Sequence, residues 1–186
     1  MTPAPTTTQP TLLTAEEFAR QYSGEYVELI DGKVEPIPMP KFPHGKVCAK
    51  ATRFFANFID DNGLGVVCSN DTFVLTRRNP DRVRGADVCY WRKDRVPQGE
   101  LPDLLPDPPD LVVEVRSPSD TWTKAFAKVI EYLEAGVRVV VLVDPDTATA
   151  SVYRPDELQQ IHDNGDELTI PDVLPGLSVP VKKFFE

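Results

Sequence analysis

The sequence predicts a single mixed α/β domain, with a central mixed sheet flanked by helices. Three observations carry this. "DLVVEV", a helical run and "VRVVVLVDP" form a strand–helix–strand unit, the pattern of a right-handed crossover between parallel strands. Further strand-like runs precede and follow it. The length of 186 residues suits one domain and can bury a sizeable core.

The elements follow in order. "MTPAPTTTQP", residues 1–10, is rich in Thr and Pro and is expected to be a disordered lead-in, which leaves 11–186 as the domain. It lacks the basic start and apolar core of a signal peptide. "LTAEEFARQY" carries a capping-box pattern, Thr14 followed by Glu17, and reads as a short helix. "EYVELIDGKVEPIP" alternates around Asp31-Gly32, a hairpin signal. "HGKVCAKATRFFANFIDDNG" places Val47, Ala51, Phe54, Phe55 and Phe58 at helical spacing, with Asn62-Gly63 as the stop. The three phenylalanines are expected in the core. "GVVCSNDTFVL", "ADVCYW" and "DLVVEV" read as strands, and the proline-rich stretch from Trp91 to Pro109 as a covering or functional loop. "DTWTKAFAKVIEYLEAG" is an amphipathic helix, expected to be capped by Ser119 or Asp120 and ended by Gly136. "TASVYRP" is a further strand, and "LPGLSVPVKKFFE" closes the domain.

Composition narrows the function. No apolar run is long enough for a transmembrane helix. Cys48, Cys68 and Cys89 show no disulfide or metal spacing and read as buried thiols in a reducing cytoplasm. Two histidines are too few for a His-rich zinc site, whereas carboxylates can serve a hard cation. The net charge of −9 argues against indiscriminate grip on nucleic acid, but arginines and lysines cluster locally in "TRRNPDRVRG" and "YWRKDR".

The stretch "PPDLVVEVRSPSD" poses the central question. Strand alternation puts Leu111, Val113 and Val115 on one apolar face, and Val112, Glu114 and Arg116 on the other. A lone carboxylate against an apolar wall costs several kcal/mol unless it is paired or metal-bound, roughly 4–8 kcal/mol for unpaired polar groups in hydrocarbon. Glu114 is therefore expected to face something polar. Asp110 shares its face but lies roughly 13 Å along a straight strand. Asp87, in the short strand "ADVCYW", is the better partner: carboxylates opposite each other on adjacent strands make a plausible Mg²⁺ site. Arg116, Lys124 and Lys128 are candidate cations, the two lysines four apart on one helix face.

The blocks "ELIDGKV", "ADVCYW", "PDLVVEVRSPSD", the Lys128-x3-Tyr132 helix leading to Gly136-Val137, and "VLVDP" together resemble the Uma-type family, described as endonucleases of the restriction-endonuclease-like, PD-(D/E)XK, superfamily. The resemblance runs from about Leu13 to the C-terminus. It implies a restriction-endonuclease-like fold, often homodimeric. It implies Asp87 as the metal-binding Asp and Glu114 as the (D/E)XK acid, with the Val115 backbone carbonyl as a further metal donor. Arg116 stands where the superfamily's usual Lys would be, and the resemblance moves that basic role to Lys128. Glu28 and His44 match positions the family tends to keep, and Ala86 replaces the usual Pro before the metal Asp.

The chemistry implied is Mg²⁺- or Mn²⁺-dependent hydrolysis of DNA phosphodiester bonds, with Asp87, Glu114 and Lys128 catalytic. Glu28, His44, Asp110 and Arg116 are possible accessories. DNA is the expected partner, with no membrane and no organic cofactor. Bland readings stand beside this. Glu114 could pair with Arg116 or Lys128 in a structural ion pair, Asp110 could be a strand-entry turn residue, and Trp122 could pack rather than stack on a base. The rival function is a catalytically silent scaffold that binds nucleic acid or a protein partner. A phosphohydrolase acting on a small substrate lacks the glycine-rich phosphate loop it would want.

Overall fold

A computed structural model describes residues 12–117 and 120–186. The lead-in expected over residues 1–10, and Ser119 as a cap, lie outside the described residues. Helix α1, Ala15–Tyr22, starts at the expected capping box, Thr14 and Glu17 satisfying each other's backbone N–H groups. Strands β1, Val27–Ile30, and β2, Lys33–Pro36, form the expected hairpin. Asp31 and Gly32 both take positive φ, 52° and 75°, as a tight turn that matches strand twist requires.

Helix α2, Phe42–Asp61, begins two residues before the predicted run, with a proline in its first turn. Its buried stripe is Val47, Ala51, Phe55 and Ile59, four residues apart each time. Phe54 and Phe58 are half-buried at the edge of the same cluster. Strands β3, Gly65–Arg77, and β4, Arg82–Arg92, form a long antiparallel pair, interrupted between Ser69 and Thr72. Asn70 and Asp71 take φ of 67° and 56° there, which marks a bulge. "ADVCYW" is only the second half of β4; the first half, with Arg82 and Arg84, was not anticipated.

Strand β5, Leu111–Val115, runs parallel to β6, Val139–Asp144, and helix α3, Trp122–Glu134, connects them. The α3 cap is Thr121, whose side chain accepts from the Lys124 N–H, rather than Asp120. Strands β7, Thr149–Tyr153, and β8, Gln160–His162, complete the main sheet. A separate hairpin of β9, Glu167–Ile170, and β10, Leu174–Pro180, closes the domain as expected of the tail, followed by a 3₁₀ turn at Val181–Phe184.

The main sheet has eight strands in the order β2-β1-β4-β5-β6-β7-β8, with β3 paired to β4 as well. Val83 pairs with both Leu75 and Leu29, and Val88 with both Ser69 and Val113. Since β3 fills one edge of β4 throughout, β1 and β5 must lie end to end along the other. The sheet therefore splits between β1 and β5, opposite residues 84–87.

Two of three core clusters among the described residues pack on the two faces around β5, and the third, with Ala15, Phe18, Leu29, Leu75 and Val83, seats α1. Leu111, Val113 and Val115 join α2 and the β9–β10 hairpin. Val112 and Val140 join Val129 and Tyr132 of α3. The Glu114 face is thus roofed by a helix rather than open to solvent, and Glu114 is 8% exposed. The loop after Trp91 covers the sheet: Leu105 packs on the α3 core and the Trp91 indole donates to the Asp107 carbonyl at 3.0 Å. Among the described residues, no helix is long and apolar enough to cross a membrane.

Candidate active site

The split in the sheet opens a cleft of about 440 Å³. Glu28 of β1, Arg84 and Asp87 of β4, Glu114 of β5 and Lys128 of α3 line it, joined by His44 at the start of α2 and Asp71 of the β3 bulge. The β4–β5 register explains the first pair. Val88 faces Val113, so the next step along the ladder places Asp87 opposite Glu114. The ladder does not simply continue there. The Asp87 carboxylate accepts the Val115 backbone N–H at 2.8 Å, taking the place of a strand partner. His44 Nε2 lies 2.9 Å from the Val115 carbonyl and 3.4 Å from Asp87 Oδ2.

Glu114 has two direct partners. The Tyr132 hydroxyl donates to Oε1 at 2.8 Å, and Lys128 Nζ lies 3.7 Å from Oε2. Burial pushes the Glu114 carboxyl up to about 7; Lys128 opposes this and Asp87 adds to it. Lys128 is also 3.1 Å from Glu28 Oε1. Burial alone would lower the Lys128 ammonium, but Glu114 and Glu28 outweigh it and hold the group above its usual range. Asp71 is raised by burial and then by Asp87. His44 is raised by its bond to Asp87, against burial.

A further shell fixes Glu28. Arg84 NH1 donates to Glu28 Oε2 at 2.7 Å, while the rest of its guanidinium forks onto Glu131 at 2.7 and 3.1 Å. Thr76 and Arg82 also bind Glu131. Burial works against the Glu131 charge, yet the Arg84 and Thr76 bonds overcome it and lower its carboxyl.

The structure therefore brings together Asp87, Glu114, Lys128, Glu28, His44 and the Val115 carbonyl. It does not bring Asp110 there. Asp110 is 1% exposed at the far end of β5, where it accepts the Arg92 N–H at 2.9 Å and pairs with Arg95 at 3.1 Å. Arg116 borders the cleft, but its guanidinium is held by Asp144 at 2.9 Å and by Asp146, and lies 5.1 Å over the Trp122 ring. Sequence reasoning missed Asp71, Arg84, Glu131 and Tyr132. Tyr132 was the most accessible of these, four residues after Lys128 and so on the same helix face. Arg82 and Arg84 alternate as a strand face should, but only the length of β4 reveals it.

The Tyr132–Glu114 bond leads to one expected result. Tyr132→Phe leaves a buried acceptor without its donor, so stability should fall by about 1–3 kcal/mol in urea titration. The Glu114 carboxyl should titrate still higher, and a loss below a few tenths of that range would mean the bond contributes nothing.

A family model described as "Uma2: Putative restriction endonuclease" matches residues 15–182. A solved structure described as a putative nuclease belonging to DUF820, from Anabaena variabilis ATCC 29413, is similar at a TM-score of 0.80 and 22% identity, over 93% of this chain and 97% of that one. No curated protein matches the chain.

Proposed function

Because the chain belongs to the Uma2 family, we propose that it is a metal-dependent endonuclease that hydrolyses DNA phosphodiester bonds at this cleft. The observation that carries the reading is the meeting of Asp87 and Glu114 at a break in the sheet, with Lys128 beside Glu114.

The residues fit a hard divalent cation. Glu28, Asp71, Asp87 and Glu114 offer oxygen donors, the set preferred by Mg²⁺ or Mn²⁺. Burial, with the Asp87 charge adding to it, raises the Glu114 and Asp71 carboxyls although Lys128 opposes the rise. Asp87 and Glu114 would hold the ion, with the Val115 carbonyl as a further donor once His44 releases it. When bound, such an ion supplies charge neutralisation at the scissile phosphate and an acidified water.

The chain's own groups do the rest. Lys128 carries a charge fixed between two carboxylates, close enough to the metal acids to offset negative charge that develops on phosphate. Glu28 anchors Lys128 and is itself anchored by Arg84. Tyr132 fixes the rotamer of Glu114. His44 bridges Asp87 and the Val115 carbonyl, which orients both. We take residues 11–186 as the folded unit, a homodimer, and the cytoplasm as its compartment on the strength of three free thiols.

The test is nicking of supercoiled plasmid with Mg²⁺ or Mn²⁺. Wild type should nick, and Asp87→Ala should not. Mn²⁺ should also raise the melting temperature of wild type but not of Asp87→Ala, since binding to the folded state alone stabilises it. The silent scaffold is the second reading because the Val115 carbonyl is already taken by His44 and the Arg116 guanidinium, two residues after Glu114 in sequence, is held by Asp144 and Asp146. A well-folded wild type that neither nicks nor responds to Mn²⁺ would establish that reading instead.

A further inference from the structure

His44 and Cys48 are four residues apart on α2, so they share one face, and both turn toward Asp87 of β4. Cys48 Sγ lies 3.3 Å from the imidazole Nδ1 and 3.9 Å from Nε2, Nε2 lies 3.4 Å from Asp87 Oδ2, and one donor atom from each residue falls within 4.8 Å of the others. A tetrahedral zinc ion, with bonds of about 2.0–2.3 Å, separates neighbouring donors by roughly 3.3–3.6 Å. The Nε2–Oδ2 separation matches that span, and a rotation of the Cys48 side chain from the Nδ1 edge of the ring toward Nε2 brings the sulfur to it. The Val115 carbonyl, 2.9 Å from the same imidazole nitrogen, borders the remaining side.

We propose that His44, Cys48 and Asp87 form a second metal site, selective for a borderline ion of the Zn²⁺ class rather than Mg²⁺. The donor chemistry sets the selectivity. Thiolate and imidazole suit zinc, whereas Mg²⁺ takes oxygen donors. Charge supports it too: Zn²⁺, one thiolate and one carboxylate sum to zero, which suits a partly buried position. On binding, the ion displaces the Cys48 thiol proton, which leaves to solvent. His44 binds as the neutral imidazole, its one proton on Nδ1. Asp87 is common to both sites. Zinc bound here draws its carboxylate away from the hard cation, and this consequence, unlike the site itself, rests on the nuclease reading.

Cobalt(II) titration followed by absorption tests the site without any enzyme activity. Wild type should bind one Co²⁺ with a thiolate-to-metal charge-transfer band and the strong visible bands of a tetrahedral centre. Cys48→Ser and His44→Gln should lose the charge-transfer band, while Glu114→Gln and Cys68→Ser keep it. Circular dichroism verifies folding of each variant, and Cys48→Ala serves if Cys48→Ser fails to fold. Absence of the band in wild type, or its survival in both Cys48 variants, would overturn the proposal. For the consequence, Zn²⁺ should stop Mg²⁺-dependent nicking by wild type and spare Cys48→Ser. A chain that shows the cobalt band yet never nicks would uphold the metal site and sink only the nuclease reading.

Discussion

Glu114→Gln should abolish plasmid nicking while making the folded chain more stable at pH 8, by up to about 3 kcal/mol. The expectation follows from the Glu114 carboxyl, pushed by burial from an ordinary 4.5 up to about 7. Below pH 4.5 the folded and unfolded chains both hold this proton, and the group has no effect on stability. Between 4.5 and 7 the unfolded chain ionises first, so stability falls as pH rises. Above 7 the full cost of keeping a carboxylate beneath α3 remains. An amide retains the oxygen that accepts from Tyr132 but cannot ionise. It also gives up the attraction to Lys128, so the measured gain should lie below the ceiling. Urea titrations at pH 5 and pH 8 check this: the advantage of Glu114→Gln should be small at pH 5 and larger at pH 8. A variant less stable than wild type at pH 8 would mean that Glu114 is a stabilising ion-pair residue, the bland alternative.

Lys128→Met should act in the opposite sense on stability and the same sense on activity. Lys128 sits between Glu28 and Glu114 at 3.1 and 3.7 Å. Removing its charge leaves both acids short of a partner, at a cost of about 1–3 kcal/mol. Glu28 keeps Arg84, and Glu114 keeps Tyr132 and can take up a proton, which limits the loss. The Lys128 ammonium is held above its usual range, so its own contribution is complete at every pH below about 10.5. The destabilisation should therefore track Glu114: larger at pH 8, where the acid is ionised, than at pH 5, where it carries a proton. Nicking should drop by about 10²–10³-fold, the size expected when a positioned positive group facing developing charge is lost. Unchanged nicking in a folded Lys128→Met would remove Lys128 from the catalytic set and leave it a purely structural counter-ion.

Much of the architecture was legible in local pattern. The Thr14–Glu17 box, the Asp31-Gly32 turn, the α2 stripe and the parallel β5–α3–β6 unit each depend on residues close in sequence, where spacing alone constrains the backbone. The shortfalls share one cause, which is that the relevant partner is distant in sequence. The bulge at Asn70 and Asp71 is set by pairing with β4, so nothing within "SNDT" shows that Asp71 turns into the cleft. Arg84 looks like a surface charge until Glu28 and Glu131 are seen around it. Arg116 looks like a phosphate contact until Asp144 and Asp146 close on it.

The sequence by itself determined which chemistry is available. A carboxylate in mid-strand, Glu114, another in "ADVCYW", and lysines on the following helix are properties of composition and period, fixed before any folding. Only the tertiary structure decided which of these groups meet. β1 and β5 lie end to end along one edge of β4, so the sheet opens at Asp87 and admits Glu28, Asp71 and His44. The same packing places Asp110 at the opposite end of β5, where Arg92 and Arg95 neutralise it. A charge is cheap to write into a strand and costly to bury. Long-range packing alone settles whether its partner is a lysine, a metal ion or water.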